Sequence, residues 1–397
     1  MTSRTRQGAV ALAAALLTAA TGCAGGAGAP ETPPARQDPG SPAAPTAAGG
    51  ASARTGFTLV ASGDVLPHAS IIRQASADAG GQGHDFRPML AGVKNVVSGA
   101  DLAICHMETV YGRDGGPYTG YPTFKSPPEV AIALKETGYD SCSTASNHTL
   151  DDGAAGLGRT LDALDKAGVR HAGSARTAEE AARPTLLKAG DATVAQLAYT
   201  YDTNGIPLPE GQPWAVDLID ERKIIADARA ARKAGADVVV VSVHWGTEWQ
   251  TAPDNRQLTL GRSLTASQTD GRPDIDLILG THAHVPQAYE KVNGTWIIYG
   301  MGDQIAGDMI NHAGSFDPRG NQGTLGRFTF APPTAPGARW EVTKAEFVPQ
   351  WFDTGRGRVV NLNAAAKEGG GNTAVRDTIR QVVLERGAAK DGLVMGE

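Results

Sequence analysis

Cysteine is scarce in this chain, with three in 397 residues, at positions 23, 105 and 142. So few exclude a fold framed by several disulfides. Aromatic residues make up only 6%, and no basic block or basic-aromatic pattern occurs in a chain of net charge −6. These absences argue against nucleic acid as a partner. No apolar run approaches the roughly 20 residues that a membrane-spanning helix needs. What is present is 41% hydrophobic and 20% charged. That is globular composition, on a length that allows one large domain or two ordinary ones.

The first 22 residues read as an export signal. Arg4 and Arg6 give a basic start, Ala9 to Ala20 is a short apolar run, and Ala20-Thr21-Gly22-Cys23 places small residues before a cysteine. Cys23 resembles the acylation site of bacterial lipoproteins, although an aliphatic residue is usual where Ala20 stands. Cleavage without lipid is the alternative. Residues 23–55 are mostly Ala, Gly, Pro, Ser and Thr. Such a stretch buries too little apolar surface to offset its ordering entropy and reads as a flexible tether. The expected location is outside the cytoplasm, anchored to the membrane by the N-terminal lipid. Cys105 and Cys142 fall within predicted strands. Neighbouring parallel strands rarely present disulfide geometry, so the expectation is two free buried thiols.

From residue 56 to 355, β-rich apolar runs alternate with helical segments, which predicts one α/β domain of layered helices and sheets. The predicted strands are 57–62, 101–106, 139–144, 193–200, 237–243, 276–279 and 295–299. Val238 to Val243 is nearly all valine, as a strand buried on both faces reads. Ser126-Pro127-Pro128-Glu129 has the form of a capped helix start, with Gly138 to end it. Leu157, Leu161 and Leu164 line another helix, closed by Gly168. A third is predicted over 217–234, acidic at its start and basic at its end. Residues 323–330 and 340–351 look like a late antiparallel pair finishing a second sheet. Residues 356–397 read as an extension with one helix, 373–385.

The chemistry gathers at strand ends, where open α/β sheets bind ligands. Gly280-Thr281-His282-Ala283-His284 follows a buried strand, and imidazole is the commonest transition-metal ligand near neutral pH. Alone, the pair is as easily a polar loop. Other strand ends carry matching residues: Gly63-Asp64, His106-Met107-Glu108, Ser146-Asn147-His148 with Asp151 and Asp152 behind, His244-Trp245-Gly246-Thr247-Glu248, and Gly302-Asp303-Gln304. Each has a bland reading as a turn, a surface imidazole or a core histidine. Jointly they can supply a two-metal site that generates hydroxide and clamps the oxygens of a displacement.

In this order and spacing the motifs resemble the poly-gamma-glutamate capsule synthesis proteins, the CapA family, an offshoot of the calcineurin-like metallophosphatase fold. Further matching elements are Phe124-Lys125-Ser126-Pro127-Pro128-Glu129, Ala145 to Gly153, Val285-Pro286-Gln287 and Tyr299-Gly300-Met301-Gly302. The resemblance implies a layered sandwich of mixed, mainly parallel sheets flanked by helices, holding one or two divalent ions. The mixed N/O donor set suits Mn, Fe or Zn. By resemblance Asp64 and His284 hold the first ion, Glu108 bridges, and Asn147, His244 and His282 hold the second. His148 would be the general acid. Asp151 either orients it or caps the helix that follows. Glu248 and Gln287 are assigned to substrate, or to support of His244 and His284. The family pattern is broken at Val65 and Leu66, where Asp-x-His is usual, and His68 and His106 are the nearby substitutes. It is broken again at Ser146, Thr281, Ala283, Asp303 and Gln304.

The resemblance implies a metal-dependent hydrolase or transferase acting on an anionic envelope polymer or its precursor in capsule or poly-gamma-glutamate synthesis. Two alternatives stay open: a non-catalytic factor that binds or exports the polymer, and a metallophosphoesterase.

Overall fold

Two large sheets stacked face to face, each covered on its outer side by helices, organise the described residues. The computed structural model describes residues 54–335 and 337–397. The expected signal, Cys23 and nearly all of the tether lie outside the described residues. The first sheet runs, in spatial order, Arg358–Asn361, Glu341–Asp353, Gln322–Ala331, Phe57–Leu66, Leu102–Met107, Ser141–Ser143 and Arg170–Ala172. Asp303–Ala306 also pairs with Phe57–Leu66, and Leu393–Met395 with Glu341–Asp353. The second sheet runs Tyr289–Val292, Thr295–Ile298, Leu277–Thr281, Val238–His244, Ala192–Thr200 and Thr185–Ala189. Both are mixed and mainly parallel, as expected.

The side-chain period of two explains the layering. Leu59 and Ile104 of the first sheet meet Val240, Leu279 and Ile298 of the second in one core. Val60 and Ala103, on the opposite face, pack against Val130 and Leu134 of the helix Glu129–Thr137. Val239 and Val241 pack against Ile224, Ala228 and Leu264 of the helices Glu221–Lys233 and Asn255–Ala266. The valine strand is thus buried on both faces. Each such valine contributes about 1.5–3 kcal/mol on burial.

Several boundaries differ from expectation for identifiable reasons. The helix after Pro127 begins at Glu129 with Pro128 at its N-cap and no side-chain cap. Ser126 pairs with the Thr109 hydroxyl at 2.7 Å instead, so the capping box does not form. The third helix starts at Glu221, capped by Asp220. Residues 217–219 stay extended because their backbone pairs with Gly173 and Thr200. The late antiparallel pair joins the first sheet, beside Phe57–Leu66, and not the second. The C-terminal segment is no separate extension with one helix. It contributes two strands to the first sheet and two helices, Leu362–Lys367 and Thr373–Leu384. Ile379, Val383 and Leu393 complete the core between the sheets.

Cys105 and Cys142 are disulfide-bonded, which corrects the expectation of free thiols. They stand directly opposite one another on neighbouring parallel strands. That register puts both side chains on one face, with Cα atoms 4.3 Å apart. Sequence spacing does not reveal register.

Candidate metal centre

Asp64 lies inside the first strand, beyond a register shift against Leu102–Met107. Gly63 makes that placement possible. A Cβ there would sit 1.7 Å from the Gly302 carbonyl oxygen, the atom to which the Asp64 amide donates at 3.1 Å. The strand Leu277–Thr281 ends in two residues with left-handed backbone, His282 at φ 90° and His284 at φ 56°. Such conformations cost about 1–3 kcal/mol each and persist only where the surroundings impose them. Here the Asp64 carboxylate accepts from the His282 amide at 3.1 Å.

The kink brings the histidines together. The rings of His244 and His282 are 4.7 Å apart, and those of His282 and His284 are 6.0 Å apart. His244 Nε2 lies 2.8 Å from Asn147 Oδ1 and 3.9 Å from Glu108 Oε1. His284 Nε2 is 4.0 Å from the same Glu108 oxygen. Asp64, Glu108, Asn147, His244, His282 and His284 therefore converge, although their positions span 220 residues of sequence. Of the two substitute histidines, His106 joins them. Its Nε2 is 3.5 Å from Asp64 Oδ1, and its ring stacks on His244 at 4.7 Å. His68 Nδ1 instead lies against the backbone, 3.0 Å from the Leu66 carbonyl oxygen and 3.1 Å from the Gly307 amide nitrogen.

Three of the histidines that face the cleft, His244, His106 and His284, have one ring nitrogen fixed. Thr281 Oγ1 is 3.0 Å from His244 Nδ1, Ser143 Oγ is 2.6 Å from His106 Nδ1, and Asp303 Oδ1 accepts from His284 Nδ1 at 2.9 Å. Such partners set the tautomer and aim the free nitrogen. Thr281 breaks the family pattern, yet it supplies the group that orients His244. Asp303 was only one strand-end carboxylate among several in sequence. Its register beside Asp64 on the first strand makes it part of the site.

Burial controls the electrostatics. It pushes the Asp64 carboxyl up to about 8, with the Asp303 charge adding to it. Burial also raises Glu108 well above the carboxylate range and Asp303 to about 6. Burial holds His106 down to about 3 and places His244 and His282 well below the usual imidazole value. His284 is the exception. Burial pulls it down, but Asp303 and Glu108 hold it well above.

His148 sits at the edge of this cluster. Its Nδ1 donates to Asp151 Oδ2 at 2.8 Å, and Asp151 also accepts from the Phe124 amide at 2.6 Å. Asp152, not Asp151, is the N-cap of the next helix. The Asn204 amide nitrogen lies 3.5 Å from His148 Nδ1, and its Oδ1 accepts from Asn147 at 3.2 Å, which places Asn204 between the imidazole and the candidate ligand set. Tyr201 lies over His282, with rings 4.4 Å apart. No periodicity or motif in the sequence marks Tyr201 or Asn204, which follow a strand end. Glu248 is half-buried and offers an oxygen within 4.8 Å of ring nitrogens of His282 and His284. Gln287 is elsewhere. It is fully buried, bonded to Gln257 at 2.8 Å and the Gln250 carbonyl at 2.7 Å. It neither supports His284 nor faces substrate, because its strand-end position turns it toward the loop packed on the helix Asn255–Ala266.

The donor set suits a divalent cation. Asp64 Oδ1, His106 Nε2, both Glu108 oxygens, His282 Nδ1 and Asp303 Oδ2 are buried with no hydrogen-bond partner among the described residues. Unpaired buried donors and acceptors cost about 1–3 kcal/mol each, more if charged, unless something satisfies them.

Residues 58–308 match the model of the family described as bacterial capsule synthesis protein PGA_cap. The capsule biosynthesis protein CapA of Bacillus anthracis is 28% identical over 181 residues, 45% of this chain and 42% of that one. The PGA biosynthesis protein CapA of Bacillus subtilis is 29% identical over 178 residues, 45% of each. The chain thus spans less than half the length of these two curated relatives. Among solved structures, a phosphatase from Mycoplasma pneumoniae has a TM-score of 0.43 at 15% identity, over 75% of this chain and 94% of that one. A calcineurin-like phosphoesterase from Bacillus subtilis has a TM-score of 0.43 at 14% identity, over 83% and 97%. With the family match covering more than half of its length, the chain belongs to the bacterial capsule synthesis protein family PGA_cap.

Proposed function

We propose that the chain is a metal-dependent hydrolase or transferase acting in capsule or poly-gamma-glutamate synthesis. The observation that carries this reading is the set of buried, partnerless oxygens and nitrogens on Asp64, Glu108, His106 and His282, which face one cleft. Asp64, Glu108, His106 and His284 would hold one ion, and Asn147, His244 and His282 another, with Glu108 shared. Mn, Fe and Zn all suit such a mixed N/O set. A bound divalent cation supplies Lewis acidity and makes water acidic enough to act near neutral pH.

The remaining work falls to side chains of this protein. Asp151 holds His148 by Nδ1, which leaves Nε2 to carry the proton that a leaving group needs. Asp303 keeps His284 in the tautomer whose Nε2 faces Glu108. Tyr201 covers His282 and shields that side of the cleft from water. The relatives' names, capsule biosynthesis protein and PGA biosynthesis protein, support an anionic envelope polymer or its precursor as the partner. We further propose that the protein is exported and held at the membrane through lipid on Cys23. Wild type should fractionate with membranes in a lipoprotein-processing bacterium, and Cys23→Ser should not.

The deciding experiment assays purified, metal-analysed protein on poly-gamma-glutamate and on a phosphodiester, with His148→Ala beside wild type. Polymer turnover lost in the variant while metal is retained supports the reading. Turnover of the phosphodiester alone makes the protein a phosphoesterase. No turnover of either, with unchanged envelope function in the variant, makes it a polymer-binding factor.

A further inference from the structure

The edge of the second sheet away from the metal centre carries a different charge pattern. A cavity of about 660 Å³ opens beside the amino ends of the strands Val238–His244 and Leu277–Thr281. Six arginines and lysines line it against two aspartates, Asp237 and Asp274, so positive charge is in excess there. The whole chain is at −6. Three of the six are neutralised: Arg54 by Asp237 at 2.7 Å, Arg229 by Asp274 at 2.9 Å, and Arg232 by Asp276. Lys233, Arg272 and Arg339 have no carboxylate within ion-pair distance among the described residues.

These three come from separate segments. Lys233 ends the helix Glu221–Lys233, Arg272 lies on the short hairpin Gln268–Pro273, and Arg339 immediately precedes Trp340 and the strand Glu341–Asp353. Lys233 is accounted for in part by the helix dipole. Arg272 and Arg339 have no such explanation. Arg272 donates to the Gly337 carbonyl at 2.7 Å. Arg339 is half-buried, and its Nε is buried with no partner among the described residues. Burial holds its guanidinium below the ordinary arginine value, and the charge of Arg232 holds it lower still. Like charges crowded round a cavity are stabilised by an anion that enters it.

We propose that this basic cavity binds a polycarboxylate chain, as a second site separate from the metal centre. The identity of the chain rests on the reading of the protein as one that handles a glutamate polymer. Guanidinium forks match carboxylates two bonds at a time. Uncompensated cations on three segments suit several spaced charges better than one compact ion. The seven residues of the strand Val238–His244 separate the two sites by roughly 20 Å, at 3.3 Å per residue. A polymer long enough to span that distance engages both, which raises the local concentration of its far end at the metal centre.

The test is fluorescence anisotropy of labelled poly-gamma-glutamate on the full chain in excess chelator. Wild type should bind, and Lys233→Ala/Arg272→Ala/Arg339→Ala should bind at least about tenfold more weakly. Lys233→Glu/Arg272→Glu changes only exposed side chains and keeps the test valid if the triple variant does not fold. Equal affinity in wild type and the folded variants overturns the proposal. Binding that vanishes with chelator also overturns it, while leaving the metal-dependent reading intact. Capture of anionic phospholipid vesicles without polymer binding refutes the assigned ligand. Polymer binding that survives chelation in a protein without turnover supports this site and removes the hydrolase reading.

Discussion

The buried strand Val238–His244 runs from an edge whose charged groups meet water to one where they are desolvated. At His244, buried oxygens and nitrogens lack partners, and burial drives carboxylates up and imidazoles down. At the opposite edge, the charged groups are largely solvated and half of the cations are already paired. The same parallel strand order builds both, because it sends the loops after the strands to one edge and the loops before them to the other. The difference teaches where leverage lies. A charge in low dielectric interacts strongly with whatever enters, whereas a solvated one is screened. Changes at the His244 edge should therefore cost orders of magnitude, and changes at the other edge about tenfold.

The largest effect should come from the carboxylates. Glu108→Ala and Asp64→Ala should lower metal affinity by more than about a hundredfold, beyond what loss of a supporting residue does, and turnover with it. Elemental analysis of protein purified without chelators measures this. Full metal content in both variants would break the comparison. His148→Ala tests the rim of the same edge. It should leave metal in place and lower turnover by about two to four orders of magnitude, the usual size of a general-acid contribution. Steady-state rates beside metal content decide it, and loss of metal would make His148 a ligand instead.

The disulfide fixes the neighbouring strands that carry His106 and Ser143. Cys105→Ser/Cys142→Ser should destabilise the fold by about 3–4 kcal/mol, given a sequence separation of 37. Denaturant unfolding reads this directly, and an unchanged midpoint would mean that the cysteines are not paired in solution. Asp303→Asn should weaken metal binding by about 10–100-fold, as loss of a group behind a ligand histidine does. A competition titration against a chelator would show it.

The smallest effect concerns pH. In the metal-free protein Asp64 is raised to about 8 by burial and by Asp303, so the folded state keeps a proton that the unfolded chain sheds near pH 4. His284, held up by Asp303 and Glu108 against the pull of burial, acts in the same sense above about pH 6.5. The depressed imidazoles of His106, His244 and His282 act oppositely, but only below about pH 6.5, where the unfolded ring gains its proton. Metal-free stability should therefore fall as pH rises from about 6.5 to 8, by a few degrees in Tm at most. Saturating divalent cation should abolish the decline. A decline that persists with cation would mean that these groups do not hold it.

Much of the site was legible because its residues are punctuation. His244 and the His282–His284 pair stand at the end of apolar runs and Asn147 just past a predicted strand, and a buried parallel strand has to release its next polar residue at the carboxyl edge. Asp303 stood at such a position too, but only its pairing beside the first strand shows that it reaches His284. Gln287 misled because a residue three beyond His284 can face either the cleft or the packed loop, and local spacing is the same in both cases. The Cys105–Cys142 bond was missed for a similar reason. Strand identity says which residues alternate, while register decides which of them stand opposite.

By itself the amino-acid sequence determined the α/β layering, the both-faces-buried valine strand and the edge at which the candidate metal ligands collect. These follow from hydrophobic period and chain order, which are local properties. Only the tertiary structure decided that His106 and not His68 joins the cluster, that Asp303 aims His284, that Cys105 meets Cys142, and that Lys233, Arg272 and Arg339 surround one cavity. Those outcomes depend on sheet order, register and burial. These quantities relate residues far apart in the chain, and charge and proton affinity respond to them only once water has been excluded.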